Sequence, residues 1–186
     1  MMVDKKTSDK KALIIYWSAG GNTEKVAYAI RDGLSEAGLS VTTIKTRGDE
    51  LVDYYEYDLV CLGFPIYSCF IPEAMMKYLK GIYNKYLSEN RIILCAPEVP
   101  GKHALVFCTY AGGHTGVDEA VPAVKYASQI FAHYGIRVVD EWYVVGDLHG
   151  NPVGSIKGKL GDIRGRPTGE ELGKVRLDAL SIGKRI

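Results

Sequence analysis

The sequence of 186 residues lacks any paired-cysteine motif. Its cysteines, Cys61, Cys69, Cys95 and Cys108, never occur as Cys-x-x-Cys, the spacing typical of zinc ribbons and many iron–sulfur sites. The sequence therefore encodes no metal site of those kinds. Any redox chemistry in this protein needs an organic cofactor.

An excess of one charge and long hydrophobic runs are also missing. The formal net charge is +1, and the Lys and Arg residues are scattered, which gives no support for a nucleic-acid partner. No apolar segment approaches the roughly 20 residues that a membrane helix needs, and residues 1–11 lack the apolar core of a signal peptide. We therefore expect no membrane association and a cytoplasmic location.

Alternating strand and helix patterns are present throughout the chain. Apolar runs predict strands at 12–16, 40–46, 58–63, 104–109 and 136–145, and helical spacing predicts helices at 23–37, 72–87, 118–134 and 169–183. This alternation predicts an α/β fold, in which helices cover a parallel sheet, as a single domain over residues 1–186. Residues 1–10 are predicted as a polar leader, 92–95 as irregular, and 146–168 as one glycine-rich loop.

The first strand–helix junction has the composition of an anion site. The apolar residues 13–16 are followed by Gly20 and Gly21, which allow backbone N–H groups to converge. Ser18 and Thr23 add hydroxyl donors at the positive end of the helix dipole. We predict that this turn, loop one, holds a phosphate. The alternative is a plain turn in which the glycines serve only the bend.

Two better-known phosphate loops do not fit this junction. No Gly-Lys-Ser/Thr follows, as a nucleoside triphosphate loop requires, and no third glycine completes a dinucleotide turn. The next predicted strand ends in Lys45-Thr46-Arg47, where a dinucleotide site needs an acidic residue for the ribose. A Rossmann NAD site is therefore disfavoured.

Two later turns each carry a tyrosine after a predicted central strand. Loop two contains Pro65-Ile66-Tyr67-Ser68, and loop three contains Thr109-Tyr110-Ala111-Gly112-Gly113. Tyr67 offers a flat face to an aromatic ligand, although it could instead pack on the neighbouring helix. The glycines after Tyr110 allow the backbone to approach a planar ring closely. The agreement of the three loops predicts a flavin site.

Loop one resembles the phosphate loop of the flavodoxin family. The family pattern is matched at Ile14, Ile15, Tyr16, Ser18, Gly21, Thr23, Ala27 and Ile30. The resemblance covers about residues 11–183 and implies bound FMN in a three-layer sandwich with a five-stranded parallel sheet of order 2-1-3-4-5. The implied FMN-binding residues are Ser18, Ala19, Gly20, Gly21, Asn22, Thr23, Pro65, Ile66, Tyr67, Ser68, Thr109, Tyr110, Ala111, Gly112 and Gly113. We add His114 as a candidate because its loop should lie against the flavin ring.

The sequence departs from the family in two respects. Many flavodoxins have a glycine in loop two whose peptide hydrogen-bonds the reduced flavin N5. None stands between Tyr67 and Phe70, so two-electron steps are favoured. Electron-carrier flavodoxins are typically very acidic, whereas this chain is almost neutral, so docking must rely on something else. His114 is either a donor to the flavin or a plain exposed residue, and for Cys69 we favour packing over a redox role.

The resemblance leaves several functions open. The first is an electron carrier between partner redox proteins, in which FMN performs the chemistry and no side chain acts as acid or base. The second is an NAD(P)H-dependent reductase of flavin, quinone or a similar acceptor, with residues 146–168 covering the site. The third is a binding module that has lost its flavin, which the complete loop-one pattern disfavours. The oligomeric state is open.

Overall fold

A computed structural model describes residues 10–186, which form a five-stranded parallel sheet with helices on both faces. The strands are β1 (Lys11–Tyr16), β2 (Ser40–Lys45), β3 (Leu59–Pro65), β4 (His103–Tyr110) and β5 (Arg137–Val145). They lie in the order β2-β1-β3-β4-β5, which confirms the predicted fold class and strand order. The observed strand ends differ from the predicted ones by at most two residues.

The helices are α1 (Asn22–Glu36), α2 (Glu73–Ser88), α3 (Val121–His133), α4 (Pro152–Lys157) and α5 (Gly169–Arg185). The predictions of α1, α2, α3 and α5 are confirmed. α3 begins later than predicted because Gly116–Glu119 forms a separate 3-10 turn. At the start of α5, Thr168 and Glu171 form the reciprocal hydrogen bonds of a capping box, as their spacing predicts.

The sheet is buried on both faces, which explains the continuous apolar runs of β3 and β4. Alternate strand residues point to opposite sides. One set packs with residues of α1 and α5, and the other packs with residues of α2 and α3. α1 and α5 approach closely at Gly33, where an added Cβ would lie 2.2 Å from the carbonyl oxygen of Arg176.

The segment 146–168 is not one uninterrupted loop, because α4 lies within it. Asn151 caps this helix by accepting the Gly154 N–H at 2.8 Å, and Pro152 stands in its first turn. The Ser155 hydroxyl donates to Oδ1 of Asp147 at 2.7 Å, and this hydrogen bond joins α4 to the segment that follows β5. The prediction of a single loop is corrected accordingly: the helix signals at residues 151 and 152 lie among many glycines.

The remaining predictions on chain organisation have mixed outcomes. Residues 92–95 form no strand, as predicted. Residues 1–9 of the predicted leader lie outside the described residues, and the single-domain assignment stays a prediction. From residue 10 to residue 186, no helix is long and apolar enough to cross a membrane.

Candidate functional site

A cavity of about 330 Å³ lies at the carboxyl ends of β1, β3 and β4. Tyr16 pairs with Gly63, and Pro65 pairs with Thr109, so loops one, two and three leave the sheet at the same edge. The direction of strand order reverses between β1 and β3, which is where open α/β sheets bind their ligands. The lining residues are Ser18, Ala19, Gly20, Asn22, Thr23, Pro65, Ile66, Tyr67, Thr109, Tyr110, Ala111, Gly146, Asp147, Leu148 and His149.

Loop one presents backbone donors to this cavity. The Ser18 hydroxyl accepts the Gly21 N–H at 3.1 Å and closes a tight turn before α1. Gly21 has a φ of 91°, a conformation that side chains disfavour, so glycine is needed there. The first N–H groups of a helix have no acceptor within it, which leaves those of residues 22–24 free for an anion.

A buried hydroxyl pair joins loop one to loop three. Oγ1 of Thr23 and Oγ1 of Thr109 lie 2.8 Å apart, and both residues are buried. One hydroxyl donates to the other, which leaves one O–H of the pair to donate elsewhere, in a place where an unpaired polar group would cost about 1–3 kcal/mol. The N-terminus of α1 is thereby fixed relative to the end of β4.

Loop two holds Tyr67 at the edge of the cavity. The Tyr67 side chain is 46% exposed and makes an edge-to-face contact with Trp17, with ring centroids 5.9 Å apart. The Tyr67 side chain also lines both of the cavities described in this section. The Ile66 N–H donates to the Thr109 carbonyl at 2.8 Å, which holds loop two beside loop three.

A two-residue turn closes loop two. Tyr67 and Phe70 exchange backbone hydrogen bonds at 3.2 Å and 2.9 Å, while Ser68 and Cys69 adopt φ values of 49° and 65°. Positive φ at both central residues is the pattern of a type I′ turn. Cys69 is exposed at its tip, so the packing role favoured for this thiol is wrong.

Loop three brings a buried aromatic ring to the cavity. Tyr110 is 9% exposed, and its carbonyl accepts the Gly146 N–H at 2.9 Å. Burial raises the pKa of both Tyr110 and Tyr67, so both phenols stay neutral at physiological pH. His114 is exposed, and its backbone N–H donates to Oε1 of Glu119 at 2.6 Å.

A fourth segment, 146–149, completes the cavity wall. The Asn22 side-chain amide donates to the Asp147 carbonyl at 2.9 Å and ties this segment to the start of α1. A hydrogen bond from the Ser155 hydroxyl, together with the Gly165 N–H, lowers the pKa of the Asp147 carboxyl. None of the predicted FMN-binding residues lies in this segment. The signal that could have found the residues of this segment is their position, directly after a strand of the same sheet.

A second cavity of about 670 Å³ adjoins the first. The two share Ile66, Tyr67, Tyr110, Ala111 and Leu148 as wall residues, so they form one continuous cleft. Ser68, Gly112, Gly113 and His114 line only the second cavity. The cleft thus brings together every predicted site residue except Gly21, which lines neither cavity and shapes loop one instead.

Comparisons with known proteins agree with this architecture. Residues 13–93 match the model of a flavodoxin domain. The chain is 32% identical over 78 residues to the flavodoxin-like domain-containing protein BilS of Clostridioides difficile, which covers 42% of this chain and 44% of that protein. It is 40% identical over 50 residues to a flavodoxin of Clostridium beijerinckii, which covers 27% and 36%. Each match thus spans less than half the length of the curated relative.

Solved structures resemble the chain over nearly all of its length. A flavodoxin of Streptococcus pneumonia TIGR4 has a TM-score of 0.63 and 20% identity, covering 94% of this chain and 99% of that one. The two-electron reduced flavodoxin of Megasphaera elsdenii has a TM-score of 0.58 and 18% identity, covering 91% and 98%. A WrbA-like flavodoxin protein of Agrobacterium tumefaciens has a TM-score of 0.61 and 13% identity, covering 95% and 97%. At these identities the likeness shows the fold.

Proposed function

We propose that this protein is a flavodoxin-family protein that binds FMN in the cleft and carries electrons between redox proteins. The domain match over residues 13–93 and the fold of the described chain support this proposal. The observation that carries the proposal is the convergence of loops one, two and three on one continuous cleft. No single loop is specific enough on its own.

The residues of the cleft fit the parts of FMN. Converging N–H groups, together with the Ser18 and Thr23 hydroxyls, suit the phosphate. Oδ1 of Asn22 is buried and accepts no hydrogen bond among the described residues, so it suits a donor such as a ribityl hydroxyl. The neutral rings of Tyr67 and Tyr110 line both cavities and suit a planar flavin.

Bound FMN would supply the capacity to accept and release electrons. The chain's own residues would bind and orient it: loop one fixes the phosphate end, and loops two and three exclude water from the ring. The proposal assigns no side chain as acid, base or nucleophile. A cytoplasmic location remains part of it.

Exposed apolar side chains around the cleft support the carrier role. Tyr67, Phe70, Leu148 and Val153 are 46%, 72%, 36% and 62% exposed. A partner that docks over this rim would approach the cofactor by apolar contact, which compensates for the lack of a strongly acidic surface.

Binding of FMN to the purified chain tests the proposal. We expect Thr23→Val to weaken FMN binding about tenfold or more in isothermal calorimetry, because it removes a donor and leaves the Thr109 hydroxyl unpaired. Thr23→Ser keeps the hydroxyl and is the matched control. Tyr110→Ala should also weaken binding through lost ring contact. Unchanged affinity in both Thr23→Val and Tyr110→Ala would refute this placement of FMN.

An NAD(P)H-dependent reductase is the second candidate, and the second cavity favours it. That cavity shares Tyr67 and Tyr110 with the first and extends toward α4, so it offers space for a nicotinamide or a quinone-type acceptor beside the ring. The two roles separate when the FMN-loaded protein is mixed anaerobically with NADH or NADPH. Rapid loss of flavin colour without an added reductase would reject the pure carrier.

A further inference from the structure

A histidine lies against the loop that is proposed to hold the phosphate. His149 follows β5, and the segment that carries it is fixed to α1 by the hydrogen bond from Asn22 to the Asp147 carbonyl. A Cβ added to Gly20 would lie 2.3 Å from Cδ2 of His149 and 3.1 Å from Nε2. The imidazole therefore occupies the space that the missing side chain of Gly20 leaves open.

The charges around this imidazole make it suited to an anion. No Lys or Arg belongs to the described residues that line the first cavity, so His149 is the basic side chain there. Asp147, the acidic residue of the same lining, already accepts hydrogen bonds from Ser155 and Gly165. Glu24, in the first turn of α1, is paired with Lys45 and accepts from the Tyr16 hydroxyl. The Asp147 carboxylate also interacts electrostatically with His149, so its charge is shared among Ser155, Gly165 and the imidazole, whereas Glu24 is engaged by Lys45 and Tyr16.

We propose, on the basis of the proposed function, that the His149 imidazolium contacts the FMN phosphate and makes FMN binding depend on protonation. Loop one alone binds the phosphate through N–H groups and hydroxyls. The segment 146–149 adds an imidazole, a side chain that can carry a positive charge. A flavin without a phosphate gains no affinity from this imidazolium.

The direction of the pH effect follows from the two titrating partners. A phosphate monoester becomes fully dianionic above about pH 6, which on its own would strengthen binding as the pH rises. An imidazole loses its proton above about pH 6.5, which weakens binding as the pH rises. Weaker FMN binding at about pH 8.5 than at about pH 6.5 therefore identifies the histidine.

Calorimetric titration of the flavin-free protein with FMN and with riboflavin tests the proposal. At about pH 6.5 we expect His149→Gln to weaken FMN binding about tenfold, the usual scale for a hydrogen bond to a charged group, and to leave riboflavin binding unchanged. His149→Lys should retain tight FMN binding at about pH 8.5, because lysine stays charged there. His133→Gln, at the far end of α3, removes a histidine outside the cleft and should match the wild type.

Each possible result decides the matter. If His149→Gln binds FMN as tightly as the wild type, or more tightly, the proposal is overturned while FMN binding itself stands. If His149→Lys loses FMN affinity at high pH as the wild type does, the charge at position 149 does not cause the pH dependence, and the proposal also fails. If the wild type binds neither flavin, the proposed function is refuted together with it.

Discussion

Ser68 and Cys69 adopt positive φ values although neither is glycine. A left-handed backbone costs a residue with a side chain roughly 1–2 kcal/mol, so this turn stores strain beside the proposed flavin ring. The sequence lacks the loop-two glycine of many flavodoxins, an absence that favours two-electron steps of the flavin. The fold reaches a left-handed turn without glycine, since the hydrogen bonds between Tyr67 and Phe70 hold it.

Relief of this strain should be measurable as stability. We expect Cys69→Gly to raise the free energy of unfolding by about 0.5–1 kcal/mol, because glycine adopts positive φ without cost but loses more chain entropy on folding. Cys69→Ala removes the exposed thiol and keeps the strain, so it should match the wild type. Urea denaturation of both variants measures the difference. Equal stability of Cys69→Gly and Cys69→Ala would show that the turn is unstrained.

At the residue scale, the sequence identified most of the cleft but not its fourth wall. Ser18, Thr23, Tyr67 and Tyr110 lie at strand ends or shortly after them, and their position could be predicted from periodicity. Asp147 reaches the cleft through a hydrogen bond with Asn22, a partner 125 residues away in the chain. No local pattern encodes such a contact, so it becomes visible only once the strands are assembled.

At the scale of elements, the close approach of α1 and α5 determines how well one face of the sheet is covered. The backbones meet at Gly33, where any side chain would collide with the carbonyl of Arg176 and with Ala179. An ion pair between Glu36 and Arg176 spans the same two helices at the surface. The helix pair is therefore held at a separation that only a glycine permits.

A methyl group at this contact should force the helices apart. We expect Gly33→Ala to lower the free energy of unfolding by about 1–3 kcal/mol, the usual cost of overpacking. Gly173→Ala is the matched control on α5, because a Cβ there meets nothing within 4 Å. Helix propensity should make that variant about 0.5–1 kcal/mol more stable. Chemical denaturation that destabilised both variants equally would contradict this account of the contact.

The elements that could be predicted are those whose signals are long and periodic. The apolar runs of β3 and β4 and the helical spacing of α1 and α5 are of this kind. The short helix α4 was missed because six residues are too few to show a period, and its capping residues lie in a glycine-rich context. Where such short helices form is determined by local capping residues and by side-chain hydrogen bonds to neighbouring segments, such as the bond between Ser155 and Asp147.

At the scale of the whole molecule, several carboxylates have a lowered pKa in the folded protein. Despite burial, which raises it, hydrogen bonds from the Tyr55 N–H, Arg91 and Tyr86 lower the pKa of Asp53. For Glu171, the hydrogen bond from Arg166 is the largest cause of the lowered pKa. A carboxylate whose pKa is depressed on folding stabilises the protein above its unfolded pKa of about 4, and this contribution is lost as the pH falls through the folded value.

Acid should therefore weaken the fold, in part through Asp53. Arg91 contacts both carboxylate oxygens of Asp53, at 2.9 Å and 2.8 Å. We expect Arg91→Gln to lower the free energy of unfolding at pH 7 and to cost less at about pH 3, because protonation of Asp53 in acid removes the negative charge that Arg91 stabilises. Arg31→Gln is the control, since Arg31 pairs with an exposed Asp32. A cost of Arg91→Gln that is the same at both pH values would exclude this carboxylate as a source of acid sensitivity.

The contact between Trp17 and Tyr67 has an optical consequence. The chain has two tryptophans, and Trp17 stands beside the cleft whereas Trp142 lies on the edge strand β5 with its indole N–H on Asp140. A flavin absorbs light at the wavelengths at which an indole emits. Flavin bound in the cleft would therefore quench the fluorescence of Trp17 more strongly than that of Trp142. Trp17 thus serves as an intrinsic fluorescent probe of flavin binding, and Trp142 serves as its internal reference.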